Sequence, residues 1–207
     1  MSDAPRVLLE HEDFIALYKP AGWVVHPVGT DAPDLQRWVQ DSVGDGLSPV
    51  HRLDAGTSGV VLYAPPVRVE RLAARFRDGL VEKTYLALVF GRTRARGTIR
   101  RPLQDQRRGR PLPAETRYRT LEHFERWSYL EVRPITGRKH QIRRHLQGIG
   151  HALIGDDRYR PRGRPTVPAF PGRLWLHCAA ISINGVSIES QLSEELANHL
   201  CNLEGRR

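Results

Sequence analysis

The sequence predicts an α+β fold, with a mixed but largely antiparallel sheet flanked by helices. Three observations lead there. Short apolar segments rich in β-branched residues are joined by tight turn signals such as Lys19-Pro20-Ala21-Gly22 and Asn184-Gly185, the chemistry of hairpins and turns. Stretches around residues 35–39, 69–76, 142–149 and 196–203 instead carry apolar residues at helical spacing. Hairpin turns recur among the helix-like stretches, which favours a largely antiparallel sheet.

Residues 6–9 and 14–18, split by the polar Glu10-His11-Glu12-Asp13, read as two strands joined by a turn. After Lys19-Pro20-Ala21-Gly22 the chain resumes an extended path through Trp23-Val24-Val25-His26-Pro27. Asp34 is placed to cap a short helix with Leu35, Trp38 and Val39 on one face. A second helix follows Pro65-Pro66, with Val69, Leu72, Ala73 and Phe76 on one face and Gly79 as its left-handed stop. Residues 83–90 read as a buried strand, and 91–113, rich in Arg, Gly and Pro, as a long basic loop or irregular hairpin. Another strand is expected over 127–132. The run from Arg138 to Ile149 then reads as a helix with Ile142, Leu146 and Ile149 on one face, Gly150 as its stop, and the cations Arg138 and Lys139 in its first turn. Cations there oppose the helix dipole, an arrangement more easily understood if that end faces an anion. Beyond a proline-rich linker at 161–172, residues 174–183 and 186–190 form a hairpin about Asn184-Gly185, and a capped helix starts from Ser193 with Leu196, Leu200 and Leu203.

The chain is organised around Val50-His51-Arg52-Leu53-Asp54-Ala55-Gly56-Thr57-Ser58-Gly59, which runs directly into Val60-Val61-Leu62-Tyr63-Ala64. Reactive side chains thus stand at the mouth of an apolar strand. Asp54 is the only acid of the loop. Thr57, Ser58 and Gly59 suit local bracing by side-chain to backbone hydrogen bonds. Taken alone, Arg52-x-Asp54 is better explained by an Asx-type turn with a surface ion pair.

Composition narrows the function classes. With 207 residues, 40% hydrophobic and 27% charged, the chain has enough apolar material for one packed domain and no apolar run of membrane-spanning length. A soluble protein is expected, and the first residues lack the apolar core of a secretory signal. Cys178 and Cys201 are too few and too far apart to suggest a disulfide framework or zinc site, which fits a reducing cytoplasm, and no H-E-x-x-H spacing points to a catalytic metal. The 32 basic residues against 23 acidic ones, a net charge of +9, suggest a polyanionic partner. Ten arginines lie between Arg92 and Arg119 against only Asp105 and Glu115, and Arg158, Arg160, Arg162 and Arg164 form a second cluster. Two such clusters favour phosphate contacts over plain solvated loops.

The string H-R-L-D-x-x-T-S-G resembles the signature loop of the RluA-type pseudouridine synthases. Four further segments are similar to that family in the same order: K-P-A-G-W-V-V-H-P, K-T-Y-L-A-L-V, T-G-R-K-H-Q-I-R-R-H-L with G-H-A-L-I-G-D, and L-H-C-A-A-I-S-I. The departures are small: Ala55 and Gly56 replace larger or charged residues, and Cys178 an alanine. The resemblance spans residues 14–183 and is closest to the TruC branch, which acts on tRNA. It implies a cleft beside the signature loop. The length reads as a single catalytic domain over residues 1–207, and no S4-type RNA-binding module fits before residue 6. The resemblance also implies RNA as partner, tRNA ahead of ribosomal RNA, with neither metal nor organic cofactor, no membrane and no obligate protein partner. Residue by residue it makes Asp54 the nucleophile, Tyr85 the aromatic that stacks on the target base, Arg143 the ion-pair partner of Asp54, and Arg52 the arginine that enters the RNA where the uridine leaves the stack.

The chemistry agrees with these residue types. Converting uridine to pseudouridine breaks the N-glycosidic bond, turns the uracil and joins its carbon 5 to the anomeric carbon, so the base must first be flipped out. A carboxylate can open this sequence by attacking the sugar or by taking a sugar proton. Two other classes compete. A non-catalytic RNA-binding relative has no use for Asp54, Tyr85 and Arg143 together, and a hydrolase built on a histidine and Asp54 lacks both a metal spacing and a G-x-S-x-G elbow.

Overall fold

The computed structural model describes residues 3–26, 29, 32–106, 108–159, 163 and 166–204. Pro27, Arg160, Arg162 and Arg164, named above, and Arg107 of the basic cluster lie outside the described residues. In chain order the elements are β1 (Arg6–His11), β2 (Phe14–Lys19), α1 (Leu35–Ser42), β3 (Ser48–Pro49), β4 (Ser58–Ala64), α2 (Pro66–Arg77), β5 (Glu82–Phe90) and β6 (Arg96–Ile99). They continue with β7 (Leu103–Asp105), β8 (Arg110–Leu112), β9 (Thr116–His123), β10 (Trp127–Pro134), α3 (Gln141–Gly148), β11 (Leu176–Ile183), β12 (Val186–Glu189) and α4 (Glu194–Glu204). The fold class is α+β, as expected.

Two compact units divide the chain, one from residues 1–82 and 178–193, the other from 83–177 and 194–207. In the first, the strand order is β1-β2-β4-β11, with β3 beside β4 and β12 beside β11. β4 is buried at every position, so it reads as a continuous apolar run rather than an alternating one. Tyr63 at its end is fully buried and donates its hydroxyl to the Val25 carbonyl at 2.7 Å. Burial, aided by the nearby Asp34 charge, pushes the phenol up, so it stays a donor. α1 forms where expected: Asp34 accepts from the Gln36 N–H at 2.8 Å, and Leu35 and Val39 face inward. α2 begins at Pro66, where the missing N–H costs nothing, and ends with Gly79 at φ +75° and the Leu80 N–H bonded to the Arg75 carbonyl. That is a Schellman-type stop.

In the second unit the order is β5-β10-β9-β6, all antiparallel, with β7 and β8 as a separate hairpin. Its core contains Ala87, Val89, Ile99, Tyr118, Leu130, Val132, Ile142, Leu146, Leu153 and Leu176. The basic region over 91–113 is therefore more ordered than expected: it contains β6 and the β7–β8 hairpin. β9 was not foreseen. Thr116 and Tyr118 are buried while Arg117 and Arg119 are exposed, and this alternation was the available strand signal.

α3 starts at Gln141, so Arg138 and Lys139 precede it rather than occupying its first turn. The cause is His140, which adopts a left-handed conformation at φ 53°, and the buried side chain of Gln141. Its carbonyl accepts from the Arg138 N–H and the Thr136 hydroxyl, and its amide donates to the Glu115 carbonyl and Thr116 Oγ1. The Thr116 hydroxyl, already an acceptor, then donates to His145 Nδ1, and His145 Nε2 donates to the Arg101 carbonyl, each at 2.8 Å. This chain requires a neutral imidazole. Burial pushes His145 below its ordinary value against the Arg101 bond, with the Arg144 and Arg101 charges helping. His199, accepting from Trp175 Nε1 and donating to the Pro168 carbonyl, is lowered by burial too.

These two histidines make stability depend on pH in a defined direction. Because their folded values lie below the unfolded one, the unfolded chain takes up protons first, and stability is lost as pH falls below about 6.5. The slope is up to about 1.4 kcal/mol per pH unit for each histidine. Denaturant unfolding between pH 5.5 and 8 checks this. His145→Gln, which cannot titrate, is expected to flatten the curve, and pH-independent stability across that range would refute the assignment.

Candidate active site

The signature loop in the first unit is held by main-chain bonds. The Thr57 N–H closes a turn onto the Asp54 carbonyl at 3.0 Å, and the Gly22 N–H reaches the Ala55 carbonyl at 2.8 Å. Lys19, whose side chain is fully buried, adds a third brace. Its ammonium donates to the carbonyls of Pro20, Trp23 and Ala55 at 2.8, 2.7 and 3.1 Å, giving each of its three N–H donors an acceptor. A buried charge without such partners is strongly unfavourable, so the K-P-A-G turn and the carbonyl following Asp54 are locked together. On the other side, His51 accepts from the Leu62 N–H at 3.1 Å and stacks on Phe76 with ring centres 4.4 Å apart.

Asp54 is thereby held half-exposed on a fixed turn, with Leu53 buried beneath it and Arg52 exposed beside it. A recess of about 130 Å³ is lined by Val24, Val25, His26 and Arg52 together with Leu53 and Ala55, the residues on either side of Asp54. Apolar walls with an arginine and a histidine at the edge suit a flat, partly polar ligand. Among the described residues no cluster of His, Cys, Asp and Glu is arranged to hold a metal ion.

Tyr85 and Arg143 stand in the second unit. Tyr85, on β5 opposite Val132 of β10, is half-buried and packs against that unit's core. Arg143, on α3, is 8% exposed. Its Nε and Nη2 donate to Asp156 Oδ2 and Oδ1 at 2.8 Å each, with a longer contact of 3.4 Å to Asp157. Burial pushes the Asp156 carboxyl up, but the Arg143 guanidinium together with the Tyr159 and Arg158 N–H groups overcomes it and holds the group below the usual carboxylate range.

Residues 13–148 match the family described as RNA pseudouridylate synthase. The chain belongs to that family. Within it, the tRNA pseudouridine synthase C of Pectobacterium carotovorum is 34% identical over 86% of this chain. The dual-specificity RNA pseudouridine synthase RluA of Vibrio cholerae is 34% identical over 84%. The chain spans 55% of the length of the first and 75% of the second. The solved structure of human RNA pseudouridylate synthase domain containing 4 superposes with a TM-score of 0.79, covering 96% of this chain and 92% of that one. At 22% identity that likeness concerns the fold. By family, then, this is an RNA pseudouridine synthase, an isomerase of the class expected from the signature loop.

Sequence reading missed two buried charged groups, Lys19 and Asp156, and the partners that satisfy them. Lys19 was seen only as part of a turn, and Asp156 only as part of a matching segment. The available signal was the same for both: a charged residue beside an apolar run, which on burial must find a partner.

Proposed function

We propose that this protein isomerises uridine to pseudouridine in tRNA, with Asp54 as the nucleophile. The observation that carries the reading is the braced turn that carries Asp54 between two residues lining a recess, Leu53 and Ala55, in a chain of this family. The reaction breaks the bond from the anomeric carbon to N1 and makes one to carbon 5. The hydrogen leaving carbon 5 is matched by one gained at N1, so no oxidant, reductant or co-reactant is required. Tyr85 serves as the aromatic platform for the flipped uracil, with stacking worth about 1 to 3 kcal/mol. Arg143 supplies the cation of the reaction centre, favouring an ionised carboxylate, and Arg52 enters the RNA in place of the departed base.

Phosphate affinity comes from the arginines of residues 92–119. Several are exposed and held by weak surface ion pairs, as Arg100 and Arg117 are by Glu115 and Arg119 is by Glu131. Exchanging such partners for phosphate costs little. The preference for tRNA rests on likeness to the relative named tRNA pseudouridine synthase C, and the enzyme is placed with its RNA in the cytoplasm.

The test is to map pseudouridine in total RNA from cells with and without the gene. Loss of one or a few tRNA positions is the expected result. Loss confined to ribosomal RNA would keep the activity and overturn the tRNA assignment, and no loss anywhere would favour the non-catalytic binder.

A further inference from the structure

We infer that Asp156 is a positioning residue for the reaction, fixing the direction in which the Arg143 guanidinium points. The inference rests on the reading above that Arg143 takes part in the reaction. Asp156 is only 1% exposed and engages Arg143 through both oxygens, which fixes the plane of the guanidinium as well as its distance. A single-point contact would leave it free to rotate.

The perch that carries Asp156 is itself rigid. The Ile154 N–H bonds the Leu88 carbonyl, and the Trp175 N–H bonds the Ile154 carbonyl. Gly155 adopts φ +75°, where a Cβ would lie 2.0 Å from the Arg173 carbonyl oxygen, so the backbone there is closely confined. Asp156 Oδ1 also accepts from the Arg158 and Tyr159 N–H groups at 3.0 and 2.8 Å. Tyr159 in turn sets its ring near Arg143, 5.1 Å from guanidinium carbon to ring centre, and its hydroxyl 3.0 Å from His140 Nδ1. These contacts hold the Asp156 carboxylate in place, and through its two oxygens the guanidinium.

The two carboxylate oxygens separate the structural role from the positioning role. Oδ1 holds the turn and one guanidinium nitrogen, whereas the only contact described for Oδ2 is Arg143 Nε. Asp156→Asn can keep its oxygen on the turn while placing an amide N–H₂ against Nε–H, two donors facing each other. The assay uses total RNA from cells lacking the gene and grown on uridine tritiated at carbon 5, since tritium leaves carbon 5 on turnover. We expect Asp156→Asn to lower the saturated rate about 100-fold, the scale of a small misplacement of a reacting group. The thermal midpoint should fall, because the buried guanidinium loses its ionised partner, so the rate is taken per folded enzyme. The half-saturating RNA concentration should stay near wild type, and the substitution should have no further effect on that rate in an Arg143→Ala background.

A merely structural role would lower the folded fraction equally in both backgrounds, and that result overturns the inference. So does a slow Arg143→Ala enzyme paired with an Asp156→Asn enzyme within about threefold of wild type, which leaves the role of Arg143 intact. If Arg143→Ala itself keeps its rate, the inference and the role of Arg143 fall together. Should Asp156→Asn not fold, Asp156→Ser, which keeps an acceptor for the turn, replaces it. The wild-type Arg143 Nε–H resonance, assigned by its loss in Arg143→Lys, is an independent measurement: slow exchange with solvent is expected, and rapid exchange overturns the inference.

Discussion

Asp54→Asn is expected to lower the rate of pseudouridine formation by about 10⁴-fold or more, the scale for removing a nucleophile from an otherwise intact site. That corresponds to about 5.5 kcal/mol of transition-state stabilisation. RNA binding should survive. The braces of the turn run through the main-chain carbonyls of Asp54 and Ala55, so exchanging a carboxylate oxygen for an amide leaves them in place. The Asn side chain keeps the shape of the acid but cannot attack the anomeric carbon. Tritium release and RNA binding measured on the same preparation decide the matter. Turnover within about tenfold of wild type would remove Asp54 from the role of nucleophile.

Gly59→Ala is expected to cost much stability. Gly59 has φ +118°, and a Cβ there would lie 2.1 Å from the Cys178 carbonyl oxygen and 2.7 Å from its carbonyl carbon and nitrogen. The obstacle is backbone, so no side chain can swing away. With the unfavourable φ added, the loss should reach about 4 kcal/mol or more, the range reserved for a defined steric or chemical fault. Gly22→Ala is the internal control. Its φ is +85° but nothing lies within 4 Å of the added carbon, so only the conformational cost of about 1 to 2 kcal/mol applies. Denaturant midpoints of the two variants test the difference, and equal stability would refute the close-approach argument. The functional reading is direct: the glycine that ends the signature loop lets β4 lie close to β11, and this anchors the turn carrying Asp54.

Much of the molecule was legible from its residues because the forces involved are local. Asp34 caps α1, Gly79 ends α2, and Asn184-Gly185 makes the β11–β12 turn with both residues at positive φ. Each depends on neighbours within a few positions. The signature loop was legible for a related reason: its reactive groups are contiguous, so their identity and spacing stand in the sequence itself. β9 was missed because Arg117 and Arg119 counted only toward the basic cluster of residues 92–119, although their alternation with Thr116 and Tyr118 was there.

What the sequence by itself determined was the α+β class, most element positions, the family and the candidate nucleophile. Only the tertiary structure decided where α3 starts, since Gln141 is held by Glu115 and Thr116, 26 and 25 residues earlier at the start of β9. The same holds for Lys19, tied to the carbonyl of Ala55, and for Arg143, whose buried partner within its unit is Asp156. The physical reason is common to all three. A buried polar or charged group must be satisfied, and residue type states that need, but the group that meets it is chosen by the path of the chain.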